Sequence, residues 1–425
     1  MPWLRHCARP CITAPSEAAV LKATLTLLAG GALAQALPLA LGPWLTRLYT
    51  PAQFGQYAIF AALAANLAVV ACARYDYALP LARDEAQARA LMALCLRVLL
   101  AVGIATALLS VMLGANGLLD DWAWLAPAVL AAGAVQWLGL WAARAERFNA
   151  LAASRVVQHG GGALAQVGAG VATSAGSAGL VAGPVLGAAA ALAWLRHPAP
   201  AGGWRGLLAV PRTEWTAAAR RHREFPLLNT PHAFAGALQD TLAVALIVAW
   251  SGEPAAGFWG LALRYLKAPA TLVGGAVSQA LYPRLARSNA DDARAAVRQV
   301  MVVLAGFALP LVALLMLFGP TLFAHLFGEP WREAGELARA LAPYIGLHFV
   351  ASPLAVVTLA WAAQGWALRL ALVGQVLFIA ALAAGMQVGG LRGAAWAVSI
   401  AMAPYFAWYF LCLATWKEVP HAAAA

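Results

Sequence analysis

Charge is what this chain has least of. Only 11% of its 425 residues are Asp, Glu, Lys or Arg, where ordinary soluble domains carry roughly 25%. A chain that is 63% hydrophobic, with a mean hydropathy of +0.74, cannot cover a water-facing surface with so little charge. A soluble globular protein is therefore excluded. Acids are scarcer than bases, 17 against 28, which leaves a net charge of +11. The cations stand between apolar runs and form no continuous basic face. They suit anionic lipid head groups, and no nucleic-acid partner is expected. Strict apolar/polar alternation is missing too, which excludes a transmembrane β-barrel. Cys7, Cys11, Cys72, Cys95 and Cys412 have no metal or redox spacing. The three in apolar runs read as small buried hydrophobes. His159, His325 and His348 are isolated, so neither a metal site nor a cofactor is expected.

What the chain does have is long apolar runs. They fall at about 23–45, 55–77, 91–113, 123–143, 156–173, 180–195, 227–250, 258–281, 299–318, 341–362, 370–388 and 393–413. At ~1.5 Å rise per residue, runs of this length cross a ~30 Å hydrocarbon core. Ala32-Leu33-Ala34 looks like a signal-peptide cleavage site, but apolar sequence continues past it through Pro38 and Trp44, so the first run reads as a span. The expected fold class is an all-α polytopic membrane protein of about twelve transmembrane helices. The expected organisation is a tail (1–20), a six-helix bundle (21–195), an Arg-rich linker (196–224), a second six-helix bundle (225–416) and a short tail (417–425).

Arg47, Arg332, Arg339 and Arg392 fall on one side of these spans, Arg74, Arg264 and Lys267 fall inside them, and the remaining cations fall on the linker side. That bias predicts both termini and the linker in the cytoplasm. Trp44, Trp122, Trp250 and Trp331 near one boundary, with Trp141, Trp194, Trp366 and Trp416 near the other, predict aromatic belts. The halves also echo each other. Thr50-Pro51-Ala52 answers Glu253-Pro254-Ala255, and Tyr77-Ala78-Leu79-Pro80 answers Ala280-Leu281-Tyr282-Pro283. An even number of spans per half makes this a parallel repeat, and transporters built so place a cavity between the repeats.

Charges inside spans are costly and mark a pathway or a site. Arg264 and Lys267 share a face of span eight with Gly260, Thr271, Gly274 and Ser278. Asn229, His232, Gly236 and Asp240 share one on span seven. Asp240 and Lys267 each lie about 13 residues from the centre of the hairpin at 251–257, so antiparallel neighbours hold them at one depth. Ion pairing is the plain reading of these two. The sharper one is a carboxylate that alternates between Lys267 and a proton or Na+. Span two ends in Arg74-Tyr75-Asp76-Tyr77, where Arg74 either snorkels or touches a phosphate, and Asp76 is a second ion-coupling candidate. Gln35 and Pro38 share a face of span one. Pro38 removes the N–H that would bond the Ala34 carbonyl, and with Pro231 and Pro269 it is a candidate hinge. The candidate substrate-binding set is Arg264, Lys267, Arg74, Gln35 and Asn229.

The chain resembles the Wzx-type oligosaccharide flippases of the multidrug/oligosaccharidyl-lipid/polysaccharide exporter superfamily. The residues that carry the likeness are Leu45-Thr46-Arg47-Leu48-Tyr49-Thr50-Pro51 with Phe54-Gly55-Gln56-Tyr57, and Arg74-Tyr75-Asp76. Leu263-Arg264-Tyr265-Leu266-Lys267-Ala268-Pro269, Gln279-Ala280-Leu281-Tyr282-Pro283-Arg284 and Phe327-Gly328-Glu329-Pro330-Trp331 complete it. The resemblance implies two six-helix bundles in a V around a central cavity, working by alternating access in a bacterial inner membrane. It implies an undecaprenyl-pyrophosphate-linked glycan as substrate, for O-antigen, capsule or exopolysaccharide. Polymerase and chain-length components of the same pathway follow as partners. In related lipid II flippases a cationic cavity binds the pyrophosphate, and Arg264 sits where such a cation is expected; span one departs in lacking a central arginine. A multidrug/cation antiporter of the same fold needs intramembrane carboxylates, among which Asp240 is nearly alone. A polysaccharide polymerase or ligase needs large external loops, and the longest here, about 319–340, is short. No enzymatic activity is expected.

Overall fold

The computed structural model describes residues 17–172, 176–197, 199–200, 203–287, 289–361 and 363–416; the two ends of the chain, with Cys7 and Cys11, lie outside them. Among the described residues there are helices and turns and no strand. In order, α1 is Glu17–Ala40, α2 Gly42–Leu48, α3 Pro51–Val69, α4 Glu85–Ala115, α5 Leu125–Arg144, α6 Phe148–Val156 and α7 Gly162–Ala172. Then come α8 Ser177–Leu195, α9 Gly203–Leu208, α10 Arg212–Arg221, α11 Thr230–Arg287, α12 Ala290–Phe327, α13 Arg332–Ala360 and α14 Gln364–Ala414. Nine described stretches are long and apolar enough to cross a membrane. Two of them cross twice: α11 turns back at Gly252 and α14 at Gly389–Gly390. The pair α6–α7, joined by a π-turn at Val157–Gly161, supplies the remaining crossing, which makes twelve.

Local chemistry sets many of these ends. Thr50 caps α3 in a reciprocal box, its hydroxyl accepting from the Gln53 N–H while the Gln53 side chain accepts from the Thr50 N–H, and Pro51 takes the first turn. Asp84 caps α4 and Asn289 caps α12, the latter with Asp291 and Asp292 in the first turn. Gly252 turns α11 with φ +80°, a value that disfavours any side chain. Large apolar residues such as Ile104 and Leu108 on α4, and Phe307 and Leu309 on α12, lie on the outside, where hydrocarbon and not water would meet them.

Helices α1–α8 and α11–α14 form two halves that meet along α3 and α11. Contact is tightest at the hairpin end, the end that carries Gly252. A Cβ on Gly55 would collide with the Glu253 carbonyl, and one on Gly257 with the Pro51 carbonyl, so the two backbones touch through glycine. Trp331 fills the same seam. It was expected in an aromatic belt, yet it is 1% exposed, donates from Nε1 to the Thr46 carbonyl (3.1 Å) and is met edge-on by Phe54 and Phe258. Trp141 is likewise buried, whereas Trp44, Trp194 and Trp250 are exposed as a belt requires.

Three further expectations need correction. Span two stops at Val69, because Ala73 and Arg74 take left-handed φ of 46° and 60° and a 3-10 turn follows at Tyr75–Leu81, so Arg74 and Asp76 lie beyond the spanning helix. The linker is not a bare polar stretch. It folds into α9 and α10 against α4, where Arg97 donates to the carbonyls of Leu207, Leu208 and Val210 and covers the Trp215 ring. The prolines do not all bend helices. Pro231 follows a π-turn at Phe225–Asn229 that accommodates its missing N–H, and Pro269 lies within α11, whose non-helical point is Gly252. In span one the helix runs through Pro38 and is interrupted at Leu41.

Candidate functional site

Two cavities share a wall. The larger, about 890 Å³, lies within the C-terminal half between α11, α13 and α14. It extends from Asn229, Thr358 and Gln364 at the linker end to Asp240, Lys267 and Phe378 at mid-depth. The smaller, about 290 Å³, lies where α3 meets α11 and is lined by Tyr57, Ala61 and Arg264. Asp240 and Lys267 line both.

The two limbs of α11 run antiparallel from Gly252, and this brings Asp240 opposite Lys267, Oδ1 to Nζ at 3.7 Å. Neither side chain is closed off: Lys267 is 34% exposed and Asp240 61%. Neither has to be drawn out of a packed core to meet a ligand.

Arg264 and its neighbour grip span one. Arg264 donates from Nη2 to the Pro38 carbonyl (3.1 Å), and the Tyr265 hydroxyl donates to the Leu39 carbonyl (2.6 Å). These acceptors are free for a local reason. The helix breaks at Leu41, and Pro43 has no N–H to give Leu39. Gly42 makes room, since a Cβ there would overlap the Tyr265 hydroxyl. About two turns further along α11, Thr271 donates to the Gln35 Oε1 at 2.7 Å. A guanidinium has five N–H donors. With one on Pro38, and with no carboxylate pairing Arg264 among the described residues, its remaining donors face the smaller cavity.

The predicted set thus divides. Arg264, Lys267 and Asp240 come together, Pro38 accepts from Arg264, Gln35 accepts from Thr271 further along the same helix, and Asn229 lines the larger cavity. Arg74 and Asp76 line neither. Arg74 donates to the Tyr77 hydroxyl (2.8 Å) and lies over its ring, while Asp76 is fully buried and accepts from Gln136 at 2.7 Å. Sequence reasoning missed Tyr265, whose signal was the unpaired carbonyl that Gly42-Pro43 dictates. It also missed Gln375, a polar residue inside the apolar run at 370–388, and the rings of α13 and α14 that join it.

Solved structures share this architecture. An inward-facing multidrug resistance MATE family transporter of the MOP superfamily superposes with a TM-score of 0.66 at 15% identity, over 92% of this chain and 93% of that one. An outward-facing one superposes less closely, at 0.53 and 14% identity over 93% and 94%. The lipid II flippase MurJ in an inward closed conformation gives 0.65 at 9% identity, over 93% and 89%. At such identities the likeness is one of fold. No curated protein matches by sequence. The profile of one family, described as polysaccharide biosynthesis protein, matches residues 44–336, well over half of the chain. With a MATE-like transporter fold around a charged, half-open cavity, the chain belongs to the polysaccharide biosynthesis protein family.

Proposed function

We propose that this protein is a flippase that moves a polyprenyl-pyrophosphate-linked oligosaccharide from the cytoplasmic to the periplasmic leaflet of a bacterial inner membrane, for surface polysaccharide assembly. The observation that carries the reading is the pair of cations, Arg264 and Lys267, at the joint of the two halves, with the single carboxylate of Asp240 to balance them. Two intramembrane cations with one acid leave room for an anion. A diphosphate offers charge and many acceptor oxygens to the fork of Arg264 and to Lys267. The cytoplasmic side is then the linker end, where the larger cavity begins, and the glycine-and-Trp331 seam closes the periplasmic end. Alternating access opens that seam and closes the other. Asp240 releases Lys267 to the substrate and takes up a proton or Na+ in its place. Arg74, which lies off both cavities beyond the end of α3, meets the headgroup as it enters.

Deleting the gene should accumulate lipid-linked glycan on the cytoplasmic leaflet, and the wild-type gene should clear it. Arg264→Ala should fail to clear it at normal abundance, with export down at least about tenfold for the loss of a charge-assisted bond. Arg264→Lys should rescue in part, since an ammonium lacks the planar fork. Wild-type export by Arg264→Ala would remove the clamp from this reading.

A further inference from the structure

The larger cavity has an unusual lining for a chamber at membrane depth. Four carboxamides, Asn229, Gln239, Gln364 and Gln375, open into it. Among the described residues none of the four makes a side-chain hydrogen bond. They are spread from the linker end to mid-depth and come from the π-turn before α11, from α11 and from α14, with Gln375 Nε2 beside Gly236. Between them stand fixed aromatic rings. Tyr405 is held by its hydroxyl on the Leu370 carbonyl (3.2 Å) and by close packing on Gly374, and Tyr344 stacks on His348 with centroids 5.9 Å apart.

This lining selects a ligand class. A polyprenyl chain would strip water from the carboxamides and give nothing back, a cost of order 1–3 kcal/mol for each unsatisfied group. A second anion finds no free cation among the described lining residues, where the charged ones are Asp240 and Lys267, paired with each other at the deep end. Sugar hydroxyls donate and accept, as carboxamides do. The electron-rich face of Tyr405 suits the C–H-covered face of a sugar ring. The volume of about 890 Å³ falls within the ~300–1,000 Å³ that buries a ligand of drug size, which is room for a di- or trisaccharide. The shared wall fixes the order of the parts. A phosphate on Lys267 in the smaller cavity would deliver the sugar next to it into the larger one.

We infer that the cavity of the C-terminal half is a carbohydrate subsite, in which Gln239, Gln375 and Tyr405 bind the uncharged reducing-end sugars of the lipid-linked substrate. This rests on the flippase reading, and the test separates the two. The purified full-length protein in lipid nanodiscs is titrated with two probes, bare undecaprenyl pyrophosphate and the lipid-linked glycan extracted from cells lacking this gene. The wild type should bind both, the glycan-bearing lipid at least about tenfold more tightly. Gln375→Leu, and separately Gln239→Leu and Tyr405→Leu, should bring the affinity for the glycan lipid down toward that for the bare lipid and leave the bare lipid unchanged, which also shows that each variant is folded. Arg264→Ala should weaken both. Equal wild-type affinity for the two probes would overturn the subsite and leave the flippase reading standing, as would variants that weaken both probes alike, the result expected if the chamber holds the polyprenyl chain. Binding of neither probe by the wild type would overturn both.

Discussion

Lys267 and Asp240 are bound to each other loosely enough to work. At 3.7 Å and with both side chains open to a cavity, the pair contributes little to stability, as half-solvated ion pairs do. Its effect is to hold two charges in balance, and in the proposed cycle a ligand or ion replaces one of them. Lys267→Ala should lower glycan export several-fold and leave Asp240 as a carboxylate without its cation. Asp240→Asn in the same chain should restore part of that loss, because the unpaired charge is gone. Additive losses in a double-mutant cycle of export rates would show that the two do not act as a pair.

At the scale of elements, the break between α1 and α2 is held from across the molecule. Pro43 denies Leu39 its helical partner, and Tyr265 supplies one 226 positions away. Tyr265→Phe should remove a single hydrogen bond, about 0.5–1.5 kcal/mol, and shift the balance of states several-fold without loss of abundance. Pro43→Ala added to it should offset the change, since the Leu39 carbonyl regains an N–H. Transport rates of the three variants measure this directly. The docked linker is a second element with a legible trigger. Gln87 Nε2 and His222 Nε2 meet at 3.1 Å, and burial, aided by the nearby Arg221, holds the His222 ring below its ordinary range. The undocked ring therefore binds a proton before the docked one does. Docking is fully favoured above about pH 6.5 and weakens as the pH falls below it. Protease nicking within 196–224 should rise from pH 7.5 to 5.5, and His222→Gln should flatten that dependence.

At the scale of the whole molecule, the halves meet at a seam made of backbone. Gly55 and Gly257 bring α3 and α11 into contact at the hairpin end, and Trp331 seals it against Thr46. Gly257→Leu places a side chain where the Pro51 carbonyl stands, so this end can no longer close. A cysteine introduced as Thr46→Cys, buried in the closed seam, should then react with a water-soluble thiol reagent applied from the periplasm, and should stay unreactive when Gly257 is intact. Arg212→Cys on α10 should resist the same reagent on intact cells; ready labelling would reverse the orientation.

The sequence by itself determined the crossings, the side-chain caps of α3, α4 and α12, and the family. Each rests on local chemistry: the apolar content of a run, Thr50-Pro51-Ala52-Gln53 as a capping box, or Asn289 before two acids. It also put Asp240 and Lys267 at one depth, because a short hairpin fixes the register of its limbs. Only the tertiary structure decided which way side chains face. Trp331 and Trp141 went inside, Tyr265 found Leu39, and Gln239, Gln375 and Tyr405 met in one chamber. In water an amphipathic helix advertises its inner face. In a membrane the lipid is as apolar as the protein interior, so the sequence carries no such contrast and azimuth is set by packing alone.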